Sequence, residues 1–277
     1  MTETNKDKST PLILAIDTTS SRASMAISRG QNLIAELGII GNERRSTNLL
    51  SEIDWLLTRT GITINDIAVF GVLVGPGSFT GLRVGLATIK GFAHALNRPI
   101  ISMKSTEVIA RTCGVSAITC VLLDAHRNEV FLQLFTVDNS GQPTELSELT
   151  IAELSELTIA KIDQVFPIVY EYQKSENLSG VVFAGDGVEL YEQQLLKFAS
   201  DNKILAEKAK VLTTNRLGWI LHKRVAFLAP EVALYAQEKF SQGQTLTASE
   251  LSAYYVRPAE AEIKLQLGLI GKKKADL

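Results

Sequence analysis

The chain has 277 residues, of which 45% are hydrophobic, and its formal net charge at pH 7 is −2. A chain of this length is expected to divide into two lobes, because single cores stop growing near ~250–300 residues. The charge balance excludes a strongly basic surface, so any role with a nucleic acid is expected to depend on partners.

The cysteines and the two ends indicate a cytoplasmic protein. Cys113 and Cys120 are too few for a disulfide scaffold or a cysteine zinc site and favour a reduced compartment. Residues 1–11 are predicted to be a disordered lead-in, since they lack the apolar region of a signal peptide. Residues 266–277 form a lysine-containing basic tail, either solvated or in weak contact with RNA or a partner. No segment reaches the ~20 apolar residues that span a bilayer, so we expect no membrane contact.

The first lobe is predicted over residues 12–107 as an α/β unit with a mixed sheet. The stretch LILAIDTTSSRASMAISRG predicts two strands joined by a polar turn at Asp17. An amphipathic helix at 46–60 follows, then the buried strand IAVFGVLV. A glycine-rich loop leads into a second helix, at 82–96, and PIISM is one more strand.

The glycine-rich loop, GPGSFTGLR at 75–83, joins a strand to a helix, which is where phosphates bind in many proteins. Its spacing fits no standard nucleotide motif, because Gly81 is not followed by lysine and lies four residues after Gly77 instead of three. The structural alternative is that the glycines allow close backbone approach while Ser78 or Thr80 caps the helix.

Asp17 is the best candidate acid for a phosphate or metal site, and the alternative is an Asx turn that satisfies local amides. The sequence therefore predicts at most weak nucleotide binding and no intrinsic cofactor. The candidate residues of this site lie in the first turn and the glycine loop: Asp17, Thr18, Gly75, Gly77, Ser78 and Gly81.

The second lobe is predicted over residues 108–265 and repeats the pattern of the first. AITCVLLDAHRNEVFLQLFTVD predicts two strands with Asp124 at the turn, and GVVFAGDGVELYEQQLLKF predicts a strand, a glycine turn and a helix. Helical stretches at about 215–240 are expected to complete this lobe. Two lobes that each begin with such a hairpin suggest an ancient duplication.

An octapeptide, ELSELTIA, occurs at 145–152 and again at 153–160. Its eight-residue period fits neither a heptad nor a solenoid repeat. We interpret it as a tandem duplication in a surface loop, where insertions cost little.

Groups for hydrolytic chemistry are missing from the sequence. The three histidines, His94, His126 and His222, form neither an H-E-x-x-H motif nor an i, i+4 pair, and no G-x-S-x-G elbow is present. His126, in the second hairpin turn, is a candidate functional residue. We expect no catalytic residue and no metal.

Four segments carry a family resemblance: ILAIDTTSSRASMAI, VLVGPGSFTGLRVGLATIKGFAHALNRPII, LLDAHRNEVF and YYVRPAEAE. Together, over about residues 12–264, they resemble the TsaB (YeaZ) family. The resemblance implies an α/β, two-lobed actin-like and sugar-kinase-like ATPase (ASKHA) fold. It also implies a non-catalytic subunit that dimerises with TsaD, recruits the ATPase TsaE and touches transfer RNA only indirectly.

In that complex a threonylcarbamoyl group is transferred to the adenosine beside the anticodon, in transfer RNAs that read codons starting with A. The resemblance also implies a homodimer when TsaD is absent. TsaD holds a metal with two histidines just after the strand equivalent to PIISM. Here Ser105 and Ile109 stand in that region, and 104–110 contains no histidine. A stand-alone ATP-binding enzyme of the same fold is the alternative, and a metallopeptidase is disfavoured.

The partner surface is predicted on the two helices of the first lobe, 46–60 and 82–96. Small residues recur every four positions on the second helix, and Trp55 lies opposite the leucine stripe of the first. The resemblance favours these helices as the family's pairing surface. The predicted interface residues are Leu49, Ile53, Trp55, Leu56, Arg83, Ala87, Gly91 and Ala95.

Overall fold

A computed structural model describes residues 10–41, 45–146, 158–208, 218–223 and 227–256. Most of the predicted lead-in, the whole predicted basic tail and most of the doubled octapeptide lie outside these residues. None of the described helices is long and apolar enough to cross a membrane.

The first sheet holds five strands in the order β3-β2-β1-β4-β5. Strand β1 pairs antiparallel with β2 and parallel with β4, so it lies at the centre, and all six of its residues are buried. Strand β3, which the sequence analysis missed, forms one edge. The bounds are β1 (Leu12–Asp17), β2 (Arg22–Arg29), β3 (Asn32–Ile40), β4 (Val69–Gly75) and β5 (Ile100–Lys104).

The second sheet runs in the order β11-β12-β10-β6-β7-β8, and β9 also pairs with β7. Its first hairpin, β6–β7, is antiparallel, whereas β10 pairs parallel with β6 and with β12, as β4 does with β1 in the first sheet. The bounds are β6 (Ser116–Asp124), β7 (Glu129–Val137), β8 (Pro143–Glu145), β9 (Thr158–Lys161), β10 (Gly180–Gly185), β11 (Ala206–Lys208) and β12 (Gly218–Lys223).

The helices lie in layers on the two sheets. Helices α1 and α2 cover the outer face of the first sheet, and α4 and α6 cover the outer face of the second. Helices α3 and α7 contribute to the core between the sheets. The bounds are α1 (Arg45–Thr60), α2 (Phe79–Leu96), α3 (Ser105–Thr112), α4 (Ile162–Ser175), α5 (Asp186–Leu190), α6 (Glu192–Asp201) and α7 (Ala229–Ser241).

Helix α7 packs on the first sheet, although the sequence predicted that it belongs to the second lobe. The prediction that helical stretches at about 215–240 complete the second lobe is wrong: residues 218–223 form a strand, β12, in the second sheet, and the helix α7 packs on β1, β2 and β4. Gly71 makes this approach close: a Cβ atom there would lie 3.2 Å from Val232 Cγ1 and 3.4 Å from Ala236 Cβ. The chain therefore returns to the first sheet after β12. The lobe boundary after residue 107 stays a prediction.

Candidate functional site

The turn between β1 and β2 lies directly against the glycine loop. The Ser78 N–H donates to the Thr19 carbonyl oxygen at 2.6 Å, and the Thr18 hydroxyl donates to the Gly81 carbonyl oxygen at 2.8 Å. Thr18 and Thr19 are both buried, although they belong to a polar turn. The structure thus brings together the two segments that the sequence predicted as one site.

Three glycines make this contact sterically feasible. A Cβ atom at Gly77 would overlap the Thr19 carbonyl oxygen, and one at Gly81 would overlap the Thr18 carbonyl oxygen. Gly85, one turn further along α2, meets the Thr18 hydroxyl in the same way. The space left by the missing side chains is therefore filled by the protein's own turn. This packing supports the structural alternative for the loop, and nucleotide binding there stays a prediction.

The side chains of Asp17 and Ser78 both accept hydrogen bonds from residues close to them in the chain. Asp17 Oδ1 accepts from the Thr19 N–H at 2.8 Å and from the Thr19 hydroxyl at 2.6 Å, which is the geometry of an Asx turn. Ser78 is the N-cap of α2 and accepts from the Gly81 N–H at 3.3 Å, so the predicted capping role falls to Ser78. Both polar side chains thereby stabilise the contact between turn and loop.

The hairpin turn of the second sheet has unusual backbone geometry. His126, Arg127 and Asn128 have φ values of 62°, 59° and 62°, so three successive residues with side chains lie in the left-handed region. Asp124 supports the turn, because its Oδ1 accepts from the His126 N–H at 2.8 Å and its own N–H donates to Asp186 Oδ1 at 3.0 Å. Left-handed geometry costs roughly 1–2 kcal/mol per residue, and such strain is concentrated at functional sites.

An ion pair joins the two lobes beside these turns. Arg22, at the start of β2, and Glu189, on α5, lie 3.4 Å apart, with 29% and 45% of their side chains exposed. Pairs this exposed contribute little to stability. The sequence carried no signal for this contact, since 167 residues separate the two partners.

The residues where the resemblance implied the TsaD metal site are buried in this chain. Ser105 and Ile109 are buried on α3, and Ile109 belongs to the core between the sheets. Among the described residues, no group of three or more histidine, cysteine, aspartate or glutamate side chains could hold a metal ion.

The small-residue stripe of α2 faces outward. Ala87, Gly91 and Ala95 are exposed, and a Cβ atom built at Gly91 would meet nothing within 4 Å. Trp55 on α1 is 49% exposed, with the Arg59 guanidinium 5.4 Å from its ring centroid. Within the described chain, the stripe therefore has no internal packing role.

Three residues predicted for the partner surface are in the wrong place. Leu49, Ile53 and Leu56 are buried in the core between α1 and the first sheet, with exposures of 3%, 1% and 2%. The apolar stripe of an amphipathic helix packs on its own sheet, so it is not available to a partner. Leu50, which is 61% exposed, is the apolar α1 residue that the prediction missed.

Arg83 and the C-terminal tyrosines extend the exposed surface towards the glycine loop. The Arg83 guanidinium lies 3.8 Å from the Phe79 ring centroid, and Tyr255 packs on the same ring at 5.1 Å between centroids. The Tyr254 N–H donates to the Val74 carbonyl oxygen at 2.8 Å, which fixes this segment at the end of β4.

The family model for "TsaD: tRNA N6-adenosine threonylcarbamoyltransferase" matches residues 40–262. The chain belongs to this family. Its curated relatives include the tRNA threonylcarbamoyladenosine biosynthesis protein TsaB of Bacillus subtilis (strain 168), 30% identical over 128 residues, which cover 46% of this chain and 56% of that protein. The Escherichia coli (strain K12) protein of the same name is 29% identical over 133 residues, which cover 47% and 57%.

The matched part of the chain thus spans little more than half the length of these TsaB relatives. YeaZ from Pseudomonas aeruginosa has a similar fold, with a TM-score of 0.62, 18% identity and coverage of 88% of this chain and 99% of that one. A second Pseudomonas aeruginosa structure, described as similar to peptidase YeaZ, has a TM-score of 0.66, 16% identity and coverage of 89% and 100%. The predicted TsaB (YeaZ) resemblance is confirmed, and so is the predicted α/β fold with two mixed sheets.

Proposed function

We propose that this member of the TsaD family acts as a TsaB-type, non-catalytic subunit in the synthesis of threonylcarbamoyladenosine in transfer RNA. It binds TsaD as a heterodimer, recruits the ATPase TsaE and so permits threonylcarbamoyl transfer. The names of the relatives support the pathway. The observation that carries the proposal is the exposed stripe of Ala87, Gly91 and Ala95, because small side chains let a partner helix approach closely.

The composition of this face suits a protein partner. Leu50 and Trp55 are large apolar side chains exposed on α1, which packs beside α2, and buried tryptophans often dominate interface energies. We expect an interface of standard size, about 1,600 Å² in total. The same surface serves a homodimer when TsaD is absent.

The packing at the glycine loop supports a non-catalytic role. The turn residues Thr18 and Thr19 fill the space that Gly77 and Gly81 leave on this side of the loop. Transfer RNA contact then falls mainly to the partners, in keeping with the net charge of −2.

A stand-alone ATP-binding enzyme of the same fold is the second candidate. The strained turn of His126, Arg127 and Asn128, supported by Asp124, is the observation in its favour, because such backbone strain is concentrated at functional sites.

Pull-down and transfer assays with purified TsaD and TsaE, with and without this chain, test the proposal. Binding to TsaD, and transfer that requires this chain, are the expected results. If the isolated chain hydrolyses ATP at a catalytic rate and is dispensable for transfer, the second candidate is correct and the proposal is wrong.

A further inference from the structure

The turn between β7 and β8, residues 138–142, is bound to both α3 and α7. The Gln142 side-chain amide donates to Glu238 Oε2 on α7 at 2.7 Å. The Gly141 carbonyl oxygen accepts from the Arg111 guanidinium on α3 at 3.4 Å. Helix α7 packs on β1, β2 and β4, whereas the turn joins two strands of the second sheet. These hydrogen bonds therefore connect the two sheets.

Contacts within the turn itself hold its shape. Asp138 Oδ1 accepts from the Ser140 hydroxyl at 2.6 Å and from the N–H groups of Ser140 and Gln142, both at 2.9 Å. These hydrogen bonds, that of the Ser140 hydroxyl above all, lower the pKa of Asp138 from its usual value. The carboxylate is therefore ionised at neutral pH and presents Gly141 and Gln142 to the helices in a fixed geometry.

Glu238 joins the turn and α3 through its two carboxylate oxygens. Its Oε1 lies 2.6 Å from a terminal guanidinium nitrogen of Arg111, while its Oε2 accepts from Gln142. Arg111 Nε lies 2.7 Å from Glu231, near the start of α7. The Arg111 side chain is 13% exposed and that of Glu238 is 26% exposed, so both are largely shielded from water. Hydrogen bonds between charged groups are strong and directional, so this set favours one relative position of turn and helices.

A second set of contacts fixes α3 against α7. The Tyr235 hydroxyl donates to Glu107 Oε1 at 2.8 Å, and Lys239 Nζ lies 2.9 Å from the same oxygen. The Arg111 and Lys239 cations lie 4.4 Å and 4.6 Å from the Tyr235 ring centroid. Helix α3 follows β5 of the first sheet and precedes β6 of the second, so the chain passes between the sheets through it. The helix at this crossing is therefore held on α7 as well as on the turn.

The two ends of the region between the sheets are held unequally. The turn at 138–142 follows Val137, the last residue of β7, so it lies at the opposite end of that strand from the His126 turn. Beside the His126 turn, the sheets are joined by the exposed pair of Arg22 and Glu189, which contributes little to stability. The stronger polar link is therefore at the end away from the hairpin turns.

The core between the sheets does not by itself select one angle. It is largely apolar, and apolar contacts have no preferred direction. Two buried polar atoms find no hydrogen-bond partner within the described chain: Gln133 Nε2, on the face of β7 that also carries Phe135, and Ser105 Oγ, at the start of α3. Such groups destabilise the arrangement that buries them, so contacts elsewhere have to favour it.

We propose that the 138–142 turn is a latch that sets the angle between the two sheets. It binds α3 and α7 at once, so rotation of one sheet against the other breaks the contacts of Gln142 with Glu238 and of Gly141 with Arg111 together. Without the latch, the second sheet rotates about α3, since the exposed ion pair at the other end is too weak to prevent it. The proposal does not depend on the proposed function.

A distance measurement by double electron–electron resonance on the full chain tests the latch. Nitroxide labels on Thr58→Cys in α1 and Lys197→Cys in α6, both at exposed positions, report the separation of the outer helices of the two sheets. The native cysteines are buried, and dilution with unlabelled chain removes distances between copies. Glu238→Ala should shift the mean distance by more than ~2 Å, the scale of a domain rearrangement.

A matched substitution separates the latch from the exposed ion pair. Glu189→Ala removes the carboxylate at the other end of the region between the sheets and should leave the distance unchanged. Gln142→Ala removes only the side-chain contact of the turn and should shift the distance in the same direction as Glu238→Ala. It replaces Glu238→Ala if circular dichroism shows that variant to be unfolded. A wild-type distance in the folded latch variants, or an equal shift in Glu189→Ala, would overturn the proposal.

Discussion

Gly81 and Thr18 are in contact although 63 residues separate them, and the Thr18 hydroxyl donates to the Gly81 carbonyl oxygen at 2.8 Å. A side chain at position 81 would overlap the Thr18 backbone, whereas one at Gly91, ten residues along the same helix, would meet no atom within 4 Å. Gly81 and Gly91 therefore differ in role, although both are glycines of the same helix.

Gly81→Ala should lower the free energy of unfolding by about 3 kcal/mol or more, because the Thr18 backbone has to move. Gly91→Ala is the control and should raise it by ~0.5–1 kcal/mol through helix propensity. Urea denaturation measures both. If Gly81→Ala is as stable as the wild type, the close contact between Thr18 and the glycine loop does not require a glycine at position 81.

Gly91→Leu should abolish TsaD binding and the homodimer without unfolding the monomer. The leucine would project into open space on the free chain but would keep a partner helix at a distance. Gln194→Leu adds an equally exposed leucine on α6 of the second lobe and should bind normally. Isothermal titration calorimetry with TsaD measures the affinity of both variants. If a folded Gly91→Leu variant binds TsaD as tightly as the wild type, α2 is not part of the interface.

Deletion of residues 153–160 should leave the free energy of unfolding unchanged or raise it by up to ~1 kcal/mol, since it shortens the connection between β8 and β9. Glu145 pairs with Phe135 and Thr158 pairs with Leu132, so twelve residues now span a gap of two positions on β7. After the deletion four residues would span it, and the identical first copy would supply the residues of β9. Because the deletion removes an even number of residues, eight, the side chains of β9 keep their alternation between the two faces of the sheet.

Thermal unfolding compares this deletion with removal of both copies, 145–160, which also takes away three residues of β9 and should be clearly destabilising. A large loss of stability from the single deletion would instead show that both copies pack into the fold.

Arg111→Ala should lower the free energy of unfolding by about 2–4 kcal/mol, because the Glu231 and Glu238 carboxylates lose the cation that pairs with them. Arg111 Nε lies 2.7 Å from Glu231, a second guanidinium nitrogen lies 2.6 Å from Glu238, and the group is 4.4 Å from the Tyr235 ring centroid. The exposed pair Lys174–Glu171 is the control, and Lys174→Ala should cost less than ~0.5 kcal/mol in the same urea titration. Equal losses of stability in the two variants would contradict the conclusion that the Arg111 ion pairs stabilise the fold more than an exposed pair does.

The two thiols should be unreactive towards a thiol reagent in the folded protein at pH 8. Burial raises the pKa of Cys113 to about 12 and raises the pKa of Cys120 as well, so almost no thiolate is present below that range. Both should react at the rate of a free thiol in denaturant. Fast labelling of either cysteine under native conditions would show local opening of the core.

The sequence was sufficient to predict the family, the two hairpins and the strand and helix that flank the glycine loop, because these depend on short-range patterns. It missed β3, in which Leu33 and Ile34, and again Ile39 and Ile40, are adjacent apolar pairs that interrupt the alternation. The amphipathic pattern of α1 identified Leu49, Ile53 and Leu56 as one stripe but could not assign that stripe to core or partner. The periodicity of α7 could not indicate which sheet this helix covers. Its packing depends on the space at Gly71, more than 150 residues earlier in the chain.

The return of α7 to the first sheet has a consequence for synthesis on the ribosome. The inner faces of β1 and β4 are complete only when Val232 and Ala236 lie against them. The first lobe of the nascent chain therefore stays unfinished until α7 has left the exit tunnel, after every strand of both sheets has been translated, and the lobe translated first is not the lobe that can mature first. Until then its apolar sheet face is exposed and prone to aggregation, and a chain that terminates before α7 should fail to complete the first lobe.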